Sequence, residues 1–171
     1  MYWASKIGQD GYSKQRVYYA KTRDFYTFTA PEVMMEGDTS LIDTTIIEND
    51  GNYYRLTKVE GQGWVYQDKV TQLLHSQPEV ISAPVLEAQG GVEGPTSFKF
   101  IGEDKWCVLL DNYGGIGYYP LVCTDLENGV YEKLESGFHM PSRARHGTPI
   151  PVTTEEYEAV MAKWGPEAVV P

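Results

Sequence analysis

A strand-rich unit recurs along this chain with a period of about 50 residues, and few architectures accept such a period. Asp43, in Leu41-Ile42-Asp43-Thr44-Thr45-Ile46-Ile47, opens one alternating run. Glu93 opens a second 50 positions later, in Glu93-Gly94-Pro95-Thr96-Ser97-Phe98-Lys99-Phe100. After a further 53, His146 opens a third, in Ala144-Arg145-His146-Gly147-Thr148-Pro149-Ile150. Aromatic second strands follow the first two, at 52–58 and 105–111. Several short strands per unit at this spacing are the signature of β-propeller blades, whose innermost strands line a central channel. Asp43, Glu93 and His146 are therefore expected to converge there.

Glu93 is the most pointed of the three. Glutamate is depleted in strands, yet this one sits at a strand start shaped by Gly90, Gly91, Gly94 and Pro95. It is either a solvated loop carboxylate or an acid pinned for use. The net charge of −10 is spread along the chain, which argues against nucleic acid and anionic membrane surfaces, both of which need a basic footprint. It is neutral about sugars. The 13% aromatic content suits pleated, half-buried surfaces. Cys107 and Cys123 fall inside strands without metal-type spacing and read as buried free thiols. No apolar run approaches the roughly 18 residues of a membrane helix.

Taken in order, the chain divides into blade pieces at about 1–36, 37–88, 89–137 and 138–153, then a helix at 154–164 and a tail at 165–171. Asn49-Asp50-Gly51 between alternating runs signals a hairpin. Residues 64–74 are ambiguous, with Trp64-Val65-Tyr66 extended and Lys69 to His75 open to a short helical turn, and 82–86 read as an outer strand. Thr153 or Thr154 caps the helix and Gly165-Pro166 stops it. Its apolar face carries Tyr157, Val160, Met161 and Trp164. The chain starts in an aromatic strand, and the repeat extended backwards falls before residue 1. The expectation is an all-β partial propeller of about three blades with one C-terminal helix, the later part of a ring. No signal peptide precedes the first strand, so Met1 as a natural start implies the cytoplasm. Open sheet edges and uncovered blade faces associate, so a homo-oligomer, or pairing with absent N-terminal blades, is expected.

Three motifs in order, Ile42-Asp43-Thr44-Thr45-Ile46, Glu93-Gly94-Pro95 and Ala144-Arg145-His146-Gly147 followed by Ile150-Pro151-Val152-Thr153, resemble glycoside hydrolase family 43. Trp106-Cys107-Val108-Leu109-Leu110-Asp111-Asn112-Tyr113-Gly114 is similar to that family's fourth blade. The resemblance implies a five-bladed propeller that hydrolyses arabinofuranosides or xylosides of plant polysaccharides with inversion. It implies Glu93 as general acid and Asp43 as the aspartate that orients the acid and favours its protonated form. His146 matches a histidine near the channel axis, associated through water with a calcium or other ion. No residue corresponds to the family's general base, an aspartate of the first blade.

Inversion needs one protonated and one ionised carboxyl group, about 6.5–9.5 Å apart with a water between. A plainer structural role remains open at each position. Asp43 is also read as a cap on backbone amides, and His146 as a satisfied core histidine. Arg145 binds a substrate hydroxyl or pairs with an acid; Asp111 faces the pocket or makes a turn. Tyr2, Trp3, Trp64 and Trp106 are core residues or sugar platforms. Arg145, Asp111 and Trp64 are the candidate substrate contacts, for an arabinose- or xylose-containing oligosaccharide. Two functions stay open: part of an inverting glycosidase that needs its base from elsewhere, or a non-catalytic carbohydrate-binding or structural half-propeller that oligomerises.

Overall fold

Turn chemistry sets the strand boundaries. Asp50 and Gly51 both adopt positive φ, 50° and 75°, which is the two-residue turn whose twist matches a hairpin. It joins strand β4 (Leu41–Asn49) to β5 (Asn52–Val59), with Asn49 opposite Asn52. The same up-and-down course repeats throughout the computed structural model, which describes residues 1–142 and 144–165. The first sheet holds β1 (Tyr2–Ser5), β2 (Arg16–Tyr19) and β3 (Glu32–Met35). The second continues from β4 and β5 to β6 (Trp64–Val70) and β7 (Glu79–Ile81). The third holds β8 (Glu93–Lys99), β9 (Trp106–Asn112), β10 (Gly117–Asp125) and β11 (Val130–Lys133). Every pairing is antiparallel between sequence neighbours. The chain is an all-β partial propeller of three successive meander sheets with one C-terminal helix.

Apolar residues on the facing sides of the sheets bind them into a stack. Val17 and Met35 of the first sheet pack with Leu41 and Val59 of the second. A larger core joins the second and third through Ile47, Leu56 and Val65 against Val108, Leu110 and Leu121. Cys107 and Cys123 are buried free thiols, and burial pushes both up to about 11, so they stay protonated and inert. Polar ties cross the same seam: the Gln67 amide donates to Leu126 O at 2.6 Å, and the Tyr131 hydroxyl donates to Gln67 Oε1 at 2.5 Å. The first strands lie side by side, β1 next to β4 and β4 next to β8. Their starts share one end of the stack, where the β5–β6 and β9–β10 connectors also turn, because Leu41 pairs with Val59 and Glu93 with Asp111.

Three local expectations need correction. Residues 82–86 are not a strand: β7 ends at Ile81, and Pro84 starts the short helix α1 (Pro84–Glu87). Proline has no N–H for a sheet ladder but suits a first helical turn. Residues 64–70 are strand, and the chain only bends after Val70. The His146 segment is irregular rather than a strand, since Pro149 and Pro151 each lack a ladder donor. The helix α2 (Thr154–Trp164) forms as expected, with Thr153 accepting from Glu156 N and Glu156 reaching back to Thr153 N. Its Tyr157, Val160 and Trp164 stay exposed. Pro166 and most of the expected 165–171 tail lie outside the described residues. No described helix is long and apolar enough to cross a membrane.

The second sheet carries one buried ion pair, with Arg55 Nε 2.6 Å from Asp68 Oδ1 and Nη2 2.9 Å from Oδ2 across β5 and β6. Both residues are buried, and removing one partner leaves the other charge stranded. Asp68→Ala is expected to lower stability by about 3–5 kcal/mol, read as an earlier urea midpoint. Wild-type unfolding in that variant would contradict it.

Candidate active site

Two β-bulges build the site. The β4–β5 register shifts between Ile42 and Thr45, and the β8–β9 register between Glu93 and Thr96. A bulge inserts an unpaired residue, bends its strand and re-aims side chains. Asp43 stands at the first with φ 50°, and Gly94 at the second with φ 50°. An L-residue in the left-handed region is uncommon and clusters at functional sites. His146 does the same, with φ 45°. Gly94 is required on two counts: its positive φ, and a Cβ there would lie 2.9 Å from the His146 ring.

The bulges aim the groups at one another. Asp43 Oδ2 accepts from Gly94 N at 3.0 Å, so the amide freed by one bulge is satisfied by the carboxylate displaced by the other. Asp43, Glu93 and His146 each offer a ligand atom within 4.8 Å of the rest. Glu93 Oε1 lies 3.2 Å from His146 Nε2 and accepts from Arg145 Nη2 at 2.5 Å. Arg145 Nε donates at 2.7 Å to Asp111 Oδ2, which is also 3.5 Å from His146 Nε2. Asp111 beside it pushes the Arg145 guanidinium further up from its ordinary value. Asp111 itself is fully buried, and its Oδ1 has no hydrogen-bond partner among the described residues.

The two halves of the site come from one cross-strand row. Glu93 pairs with Asp111, and Asp111 with Tyr118, across β8, β9 and β10. The Tyr118 hydroxyl donates to Gly94 O at 2.8 Å, and burial pushes its phenol up, so it stays a neutral donor. Asp43, Gly94, Tyr118, His146 and Tyr2 line a hollow of about 280 Å³.

Of the residues singled out in the sequence, Glu93, Asp43, His146, Arg145 and Asp111 meet here. Trp64 does not. It starts β6, with its indole Nε1 donating to Gln62 Oε1 at 2.7 Å and its ring edge-on to Tyr66. Asp111 is not a turn residue but the buried end of β9. Arg145 pairs with an acid, as one alternative had it, and that acid is Glu93 itself together with Asp111. Tyr118 went unread in the sequence, because its role follows from register and no motif marks it.

Over residues 1–158 the chain matches the family described as a probable glycosyl hydrolase domain, related to glycoside hydrolase family 43. The chain belongs to that family. It is 35% identical over 99 residues to an α-L-arabinofuranosidase of Bifidobacterium longum subsp. longum, a match covering 56% of this chain and 9% of that protein. A crystal structure of an α-L-arabinofuranosidase from Lactobacillus brevis is similar with a TM-score of 0.48 and 17% identity, over 79% of this chain and 50% of that one. The chain thus spans a small part of the first relative and half of the second.

Arg145 neutralises a carboxylate with no access to water, and losing it strands that charge. Arg145→Ala is expected to lower the urea midpoint, and Asp111→Asn in the same background to restore part of the loss. Additive losses in the double variant would contradict the coupling.

Proposed function

We propose that this glycosyl hydrolase domain carries the proton-donating half of an inverting site for terminal arabinofuranosides, with xylosides as the neighbouring substrate class. The observation that carries the reading is the gathering of Asp43, Glu93 and His146 within 4.8 Å from points 50 and 53 residues apart. Glu93 is the general acid. Its proton passes to the oxygen joining the sugar to its leaving group as the bond from that oxygen to C1 breaks. Water adds to C1 from the opposite face and yields a proton to a second carboxylate. Asp43 is too close to Glu93 to be that base, since an interposed water needs about 6.5–9.5 Å. Asp43 instead orients the acid through the Gly94 amide. The base belongs to a carboxylate outside the described residues, supplied by further blades or by a second copy closing the ring.

Arg145 has to leave Glu93 Oε1 before that atom can meet a leaving oxygen. Asp111, bonded to Nε of the guanidinium, anchors the arginine as Nη2 swings away. The donor set fits a directly bound calcium poorly. Calcium takes 6–8 oxygen ligands, whereas here one of three groups is an imidazole, and both carboxylates already accept hydrogen bonds. A water-mediated ion beside His146 is compatible with the reading, but no step depends on it. The Arg145–Glu93 contact favours one second reading, a carbohydrate-binding domain whose acid stays locked in the ion pair.

Hydrolysis of aryl α-L-arabinofuranoside and aryl β-D-xyloside by the protein, beside Glu93→Ala, separates the two. Where a second copy or further blades supply the base, the expected result is release from the arabinofuranoside, at least about 100-fold slower in the variant, the usual order for loss of acid–base catalysis. Equal rates in both proteins would remove Glu93 from the chemistry. Sugar binding without turnover in either, with the base supplied, supports the second reading.

A further inference from the structure

Glu93 borders a hollow other than the one its partners line. Asp43 and His146 open onto the first, while Glu93 lines a second of about 310 Å³ with Lys58, Glu60, Gln62 and Tyr113. The two share no lining residue. The second lies between the β5–β6 and β9–β10 connectors, and its volume is at the small end of the roughly 300–1,000 Å³ of ligand clefts. That suits one sugar-sized group.

Its lining is unusual for a structural gap. Lys58 is buried, at 2% exposure, yet none of its ion-pair distances to a described carboxylate falls within 4 Å. Its Nζ donates to Val92 O at 2.7 Å and stands 5.3 Å from the centre of the Tyr113 ring. An ammonium has three donors, and a buried cation held only by neutral partners is costly. The protein carbonyl accounts for one of the three. Tyr113 is half exposed on the β9–β10 connector, one ring face toward the lysine. Gln62 is fixed by the Trp64 indole through its Oε1, which leaves its amide N–H groups unspent. A stacking face, an ammonium and an amide around one small hollow are what a sugar ring requires: an apolar face to cover and hydroxyls to bond.

We propose that this second hollow is the leaving-group subsite, and that it holds the next sugar of an oligo- or polysaccharide chain. The inference rests on Glu93 being the acid of the proposed reaction. An acid that protonates the bridging oxygen stands between the sugar released and the sugar left behind, and Glu93 stands between these two hollows. Tyr113 covers the face of the remaining ring, and Lys58 and Gln62 bond its hydroxyls. The site then selects glycan-linked arabinose over arabinosides with small non-sugar leaving groups. Trp64 thereby acts at one remove, by holding Gln62.

Titration calorimetry of the full 171-residue chain with L-arabinose and with α-1,5-arabinotriose tests this, using wild type, Tyr113→Ala and Tyr113→Trp. Arabinotriose is expected to bind more tightly than arabinose. Tyr113→Ala is expected to weaken arabinotriose by about two- to tenfold, the range of a lost aromatic contact, without a matching change for arabinose. Tyr113→Trp is expected to restore it. Equal affinity for the two sugars, or a Tyr113→Ala variant that binds arabinotriose as wild type does, overturns the subsite and leaves the acid assignment standing. Failure of wild type to bind either sugar overturns both.

Discussion

One hydrogen bond holds the two inner strands in the relation on which the site depends, that from the Gly94 amide to Asp43 Oδ2 at 3.0 Å. Each partner exists because of a bulge. The carboxylate turns inward because Asp43 occupies a left-handed backbone position, and the amide is free because the β8–β9 ladder skips between Glu93 and Thr96. A buried N–H without a partner is costly, so the two irregularities are stable together and unfavourable apart. Packing between the second and third sheets brings them face to face, and Glu93, the neighbour of Gly94, is carried into place by the same contact.

Charge then determines what Glu93 meets. Arg145 bridges an accessible carboxylate and a buried one, and only the buried one lacks an alternative in water. The guanidinium is therefore held at Nε by Asp111 and exchangeable at Nη2, where it meets Glu93, with nearly half its side chain in solvent. Exposed ion pairs contribute little to stability, so exchange at Glu93 is cheap. The same arginine thus shields a buried charge and covers the Glu93 carboxylate. Tyr118 and His146 complete the wall by bonding to Gly94 and to Glu93.

Most of the strands could be read from the chain because alternation, the Asp50-Gly51 turn and the Thr153 cap are local signals. The meeting of Asp43, Glu93 and His146 was also legible, because equal spacing in sequence becomes equal position in stacked blades. What escaped depends on register. Tyr118 joins the site because it lies opposite Asp111, which lies opposite Glu93, and Lys58 because β5 ends beside the third sheet; no motif reports such neighbours, whereas Asp111 was legible as a candidate substrate contact. The proline-containing segments at 82–86 and 146–151 misled for one reason. Their apolar residues alternate as in a strand, but the missing N–H groups deny them a ladder. Trp64, a candidate sugar contact by residue type alone, turns to Gln62 and Tyr66 instead of the site.

Asp43, Glu93 and His146, distant in sequence, bring a ligand atom each within 4.8 Å of one another at one end of the stack. The chain has three histidines, His75, His139 and His146, and only His146 touches Glu93, while His75 lies against Tyr19. Imidazole NMR signals followed during L-arabinose titration test directly whether the sugar binds there. The account predicts that the His146 resonances move in a saturable way while those of His75 and His139 stay in place. A stationary His146, or equal shifts at all three, would contradict it.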